Sequence, residues 1–170
     1  MHTDVHDTRR SFFRQLGTGD VALAVSGADA GGQTAPAPSS PRTIVGDGFG
    51  RVVILRFSRG DKLLEGIRDK LKELGIANAA VVSAIGTLDR IRYYQITTTG
   101  PKSVPEHHTL EAPIEFSSLE GVIADGQPHL HITFTDLRRA YAGHLEDDST
   151  VLYVAEVVIA EIKGVAKIRG

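Results

Sequence analysis

The chain has 170 residues, 41% of them hydrophobic and 24% charged, which allows one ordinary domain with a real core and a polar surface. Its 19 Lys+Arg against 21 Asp+Glu leave a net charge of −2, so the surface as a whole is not a cationic glove for nucleic acid, although a local basic patch stays open. Cysteine is absent, which excludes disulfides, thiolate metal sites, iron–sulfur clusters and a cysteine nucleophile; metal or acid–base chemistry must rest on the 7 histidines and on carboxylates.

Near the start, Thr8-Arg9-Arg10-Ser11-Phe12-Phe13-Arg14 resembles a twin-arginine export signal. The weakly apolar run Val21–Val25 follows, and Ala28-Asp29-Ala30 supplies a small-residue cleavage site. Residues 1–30 are therefore expected to be a twin-arginine signal peptide, which makes the mature protein periplasmic or exported. Asp20 lies inside the apolar stretch, where a charge opposes insertion. The alternative is an N-terminal arm on a cytoplasmic protein, with a chance Arg-Arg pair. Residues 31–47, rich in Gly, Ala, Ser, Thr and Pro, read as a flexible linker, and residues 48–170 as the domain. Without residues 1–30, which hold three Arg and four Asp, 16 cations face 17 anions. No run of about 18 apolar residues exists, so no transmembrane helix is predicted.

Arg51–Phe57, short and β-branched, reads as the first strand. Asp61 is positioned to cap a helix, whose apolar stripe is Leu63, Leu64, Ile67, Leu71 and Leu74 and whose end is closed by Gly75. Ala80–Ile85 and Ile91–Thr98 follow as strands, and Pro101, Pro105 and Pro113 mark a loop-rich middle. Ile114–Ile123, His129–Thr135, Tyr141–Leu145 and Val151–Ile162 complete the set. One principal helix against about six strands predicts a single compact α+β domain on a mainly antiparallel sheet.

The chemistry concentrates in Pro128-His129-Leu130-His131 and Gly143-His144-Leu145. On a strand, His129 and His131 share a face. A hairpin loop of two or four residues between the two segments makes paired positions sum to 275, which sets His131 opposite His144 and His129 diagonal to it. A three-residue loop would turn His144 away. Three imidazoles with an open fourth position suit a catalytic-type zinc site, though imidazole also serves iron, nickel, copper and cobalt. The plain alternative is half-buried strand histidines bonding their neighbours. Glu115 and Glu156 lie in predicted strands, where each is a candidate base beside a metal-held water or an acceptor orienting a ligand histidine; otherwise each lies on a solvated strand face. Glu106, Glu111 and Glu120 carry nothing that selects them, and His107 and His108 read as exposed loop residues. No phosphate-binding loop, nucleophile elbow or dinucleotide fingerprint is present.

Several segments together carry a family resemblance: Gly60–Glu65, Val82–Leu88, Glu115–Gly121, Asp125–His131, Gly143–Leu145 and Ala155-Glu156. In this order they resemble the PPC domain (plants and prokaryotes conserved) across about residues 50–165. The resemblance implies a small α+β domain assembling as a homotrimer, and a prokaryotic three-histidine cluster that falls on His129, His131 and His144. It also implies a DNA-binding label inherited from plant members that carry AT-hooks. This chain has no Arg-Gly-Arg-Pro hook, and Arg42 stands alone in the linker. The expectation is a metal-binding homotrimer with zinc and a small-molecule ligand, its activity undefined. The alternatives are a DNA-binding or DNA-associated scaffold without catalysis, and a trimeric interaction module with a structural metal. Strand faces carrying Val151, Val154, Val157 and Val158 are expected to seek the partner subunits.

Overall fold

The computed structural model describes residues 40–169; the expected export signal and residues 31–39 of the expected linker lie outside the described residues. Within them the β-branched texture resolves into β1 (Gly48–Ser58), α1 (Leu63–Glu73), β2 (Ala79–Ile96), β3 (Pro105–Ala124), β4 (Gln127–Thr135), β5 (Ala140–Leu145) and β6 (Thr150–Lys163). The six strands form one antiparallel sheet in the order β1-β6-β2-β3-β4-β5. A further pairing joins β2 to β5 through Tyr93↔Leu145 and Tyr94↔His144, so β2, β3, β4 and β5 close on themselves. The predicted α+β class, with one principal helix, is the observed one among the described residues.

Burial alternates along the strands. In β4, Leu130, Ile132 and Phe134 point inward while His129, His131 and Thr133 point to solvent. The inward residues join Phe57, Phe116 and Val157 in a core completed by the helix stripe Leu63, Leu64, Ile67 and Leu71. The helix ends as its sequence predicts: Gly75 N–H donates to Lys72 O and Ile76 N–H to Leu71 O, the paired bonds of a Schellman closure. Its start differs. Lys62 is the N-cap and makes no side-chain cap bond, whereas the Asp61 carboxylate instead accepts from Ser58 N–H at 2.7 Å and closes the turn out of β1.

Two strand expectations also change. Ala80–Ile85 and the expected strand Ile91–Thr98, as far as Ile96, belong to one long strand, β2, held by β6 on one side and β3 on the other. Of the loop-rich middle, residues 97–104 with Pro101 are a loop, and the remainder is the first half of β3. Pro105 opens that strand, and Pro113 sits at the register shift between Leu88 and Arg90 on β2, where the ladder needs no N–H from it. Val151 and Val157 are fully buried in the core, so they are not available to a partner; Val154 and Val158 are partly exposed.

One ion-paired cluster ties the two ends of the domain together. Arg51 Nε lies 3.1 Å and Lys163 Nζ 2.8 Å from the Glu161 carboxylate. Hydrogen bonds from Arg51, then Lys163, push that carboxyl down to about 2. A folded-state value below the ordinary 4.5 means that the stabilisation is fully present above about that pH and fades as pH falls toward 2. Glu161→Gln is therefore expected to lower the Tm at neutral pH, with the deficit shrinking across that acid range. Circular-dichroism melts over a pH series measure it; a deficit that stays constant into acid contradicts the assignment.

Candidate metal centre

The hairpin joining β4 and β5 is set by Asp136. Its Oδ1 accepts from Arg138 N–H at 2.6 Å and Arg139 N–H at 2.8 Å, and its own N–H donates to Arg139 O. Those backbone bonds hold the Asp136 carboxyl below its usual value. They also stabilise a loop of the four residues Asp136–Arg139, a local structure that an aspartate side chain favours. An even loop gives the expected parity: β4 and β5 pair His131↔His144 and Thr135↔Ala140.

Three imidazoles therefore converge. Ring centroids lie 5.5 Å apart for His129–His131, 5.0 Å for His129–His144 and 5.2 Å for His131–His144. One nitrogen from each falls within 4.8 Å of the others. A tetrahedral ion with bonds of about 2.0–2.1 Å needs its ligand nitrogens only about 1–1.5 Å closer, a change that side-chain rotation of exposed His129 and His131 supplies. His144 is half-buried, and its buried Nδ1 has no hydrogen-bond partner among the described residues. Burial, and then the neighbouring His129 and His131, hold its pKa below the ordinary imidazole value. An unpartnered, neutral imidazole nitrogen is what a metal ligand presents, so the residues fit a divalent ion.

Around the triad the sheet places groups on which the sequence carried little signal. Glu120 on β3 stands directly across from His131 and accepts from Ser118 Oγ at 2.8 Å. Its position follows from the Asp125-Gly126 turn between β3 and β4. Both residues have positive φ, 53° and 77°, the geometry of a tight two-residue hairpin. Tyr94 on β2 pairs with His144 and stacks on its ring, with centroids 4.4 Å apart and planes 23° apart. Gly143 permits the close approach of β2 to β5 at this point: a Cβ there would stand 2.6 Å from the Tyr93 ring and 2.8 Å from the backbone oxygen of Tyr94. On the far side of Tyr94, His107 of β3 places Nδ1 2.9 Å from both carboxylate oxygens of Glu146. His107 and His108 are thus strand residues and not loop residues; His108 stacks on Tyr93 at 5.0 Å.

The two carboxylates singled out from sequence lie elsewhere. Glu115 pairs with Thr135, four residues along β4 from His131, and Glu156 lies opposite Ile85 and bonds Arg56 at 2.6 Å. They meet instead across a cavity of about 390 Å³ floored by Gly86, Phe116 and Val154. Neither stands across the sheet from a ligand histidine.

Residues 45–163 match the family model of the Plants and Prokaryotes Conserved (PCC) domain. No curated protein matches the chain. Among solved structures, the metal-containing protein from Archaeoglobus fulgidus is 28% identical with a TM-score of 0.61, covering 73% of this chain and 89% of that one. A plant- and prokaryote-conserved (PPC) protein from Pyrococcus horikoshii is 29% identical with a TM-score of 0.59, covering 71% and 86%. A Bacteroides thetaiotaomicron protein provisionally described as DNA-binding shares the fold at 22% identity and a TM-score of 0.58, covering 69% and 84%.

Proposed function

Because the chain belongs to the Plants and Prokaryotes Conserved (PCC) domain family, we propose that it is a metal-binding member that holds one divalent ion, zinc, on His129, His131 and His144. The observation that carries this reading is the convergence of three imidazole nitrogens within 4.8 Å on a solvent-facing strand pair. The metal-containing relative from Archaeoglobus fulgidus supports it. Bound there, zinc would supply Lewis-acid chemistry to a small molecule arriving from solvent. The chain's own residues do the rest. His129 and His131 offer nitrogens from the outer face of β4, His144 offers one from the half-buried edge of β5, and Glu120 stands across from His131 with a carboxylate able to hold a proton. Competition of metal-stripped protein with a chromophoric zinc indicator tests the reading: one site per chain is expected, and no competition rejects it.

The same proposal includes a homotrimer. Exposed Val52, Ile54, Val82 and Ile85 lie on β1 and β2, the strands flanking β6, and supply an apolar surface for partner subunits. Sedimentation equilibrium is expected to give three times the chain mass, and Ile54→Asp to shift the population toward monomer. A wild-type monomer at micromolar concentration contradicts assembly.

The charge distribution supports the small-molecule reading over duplex DNA. Arg51 pairs with Glu161, Arg56 with Glu156, Arg68 with Asp147 and Arg90 with Glu111, which leaves these cations neutralised by the protein's own carboxylates. Duplex affinity is expected to stay at the generic non-specific level of about 10⁻⁴–10⁻⁶ M at physiological salt. Sub-micromolar binding with a steep salt slope promotes the DNA-associated scaffold instead.

A further inference from the structure

The β2–β5 seam is short, with only Tyr93↔Leu145 and Tyr94↔His144 in register. It nonetheless carries one of the three imidazoles. Across the sheet, the side chains in one row are His107, Tyr94, His144, His131 and Glu120, each paired with the next. Tyr94 covers a face of the His144 ring at 4.4 Å, and its own centroid lies 5.5 Å from that of His107. His107 is in turn anchored by Glu146 at 2.9 Å. The backbone of Glu146 is anchored as well. Its N–H donates to Arg92 O, and its carbonyl accepts from the hydroxyl of fully buried Ser149, which also accepts from Arg92 N–H.

We propose that Tyr94, backed by the His107–Glu146 pair, is the positioning residue that fixes the His144 imidazole for the metal; this rests on the reading that the three histidines hold one. The physical reason is entropic and geometric. A ligand ring on a strand can turn about χ1 and χ2, and each unproductive rotamer lowers the fraction of chain ready to bind. The usual device is a hydrogen bond to the ring nitrogen not used by the metal. Among the described residues the His144 ring makes no such hydrogen bond, and its buried Nδ1 is itself unpartnered, so orientation falls to the stacked Tyr94 and to the absence of a side chain at Gly143, which lets the β2 backbone approach β5. His129 and His131 are exposed and, among the described residues, stack on no aromatic ring beyond the triad, so His144 is the fixed corner to which the other two adjust.

Cobalt(II), whose visible bands report ligand geometry, is the probe. Metal-stripped wild type, Tyr94→Ala, Tyr94→Phe and His107→Ala are titrated while absorbance and far-ultraviolet dichroism are recorded. Tyr94→Ala is expected to weaken cobalt binding by about 10–100-fold, the size of a lost orienting partner, and to change the band pattern. Tyr94→Phe keeps the stack and is expected to retain affinity and spectrum. His107→Ala, on an exposed residue, is expected to give a smaller loss, and it carries the test if Tyr94→Ala fails to fold. Variants that fold and bind cobalt with wild-type affinity and bands overturn the positioning role while leaving the histidine site standing. Wild type that binds no cobalt overturns both.

Discussion

Replacing His131 and His144 together by Ala is expected to abolish zinc stabilisation altogether. In wild type, zinc at a hundredfold excess over Kd should add about 2.7 kcal/mol to the unfolding free energy, because the ion binds the folded chain and not the scattered histidines of the unfolded one. The double variant leaves a single imidazole, His129, on an exposed strand face. One imidazole does not hold zinc at micromolar concentration against water, so the shift should vanish while the fold persists. The fold persists because His131 is exposed and His144 half-buried, and neither belongs to the core. Thermal or urea denaturation with and without zinc measures the difference. A double variant that still gains the wild-type increment places the ion elsewhere.

The largest effect on stability is expected from Phe134→Ala, at about 3–5 kcal/mol. Phe134 is fully buried, meets Tyr93 edge-on and stacks on Tyr141, each at 5.1 Å between centroids. Truncation leaves a cavity beneath the β4–β5 hairpin and removes both aromatic contacts. Phe134 and Tyr141 are also cross-strand partners, three pairs along the same ladder from His131↔His144. A loosened hairpin should therefore weaken zinc binding too, without any ligand having been changed. Urea denaturation gives the first quantity and indicator competition the second. A loss below about 1 kcal/mol, the scale of a surface change, contradicts the packing account.

Much of this centre was legible because it is local. Asp136 and an even loop make paired positions sum to 275, and that alone brings His131 to His144 and His129 beside them. The same arithmetic on the Asp125-Gly126 turn places Glu120 across from His131, although nothing about Glu120 in isolation selects it. Tyr94 was beyond reach, since its meeting with His144 depends on the closure of β2 onto β5, two strands about fifty residues apart that short-range pattern does not connect. The long strands were hidden by punctuation: Pro105 and Pro113 read as loop markers, yet one opens β3 and the other occupies a bulge. The carboxylates Glu115 and Glu156 were chosen for lying in strands, and strand membership says nothing about which end of a long, bent sheet a residue occupies. Their cavity is a separate feature of the surface.

Elemental analysis of protein purified without a polyhistidine tag or chelator tests the central claim most directly. Inductively coupled plasma mass spectrometry is expected to find about one divalent ion per chain, predominantly zinc, and a stoichiometry restored by zinc after the ion has been stripped. Metal-free wild-type protein that stays metal-free after incubation with zinc and removal of the excess would contradict the account.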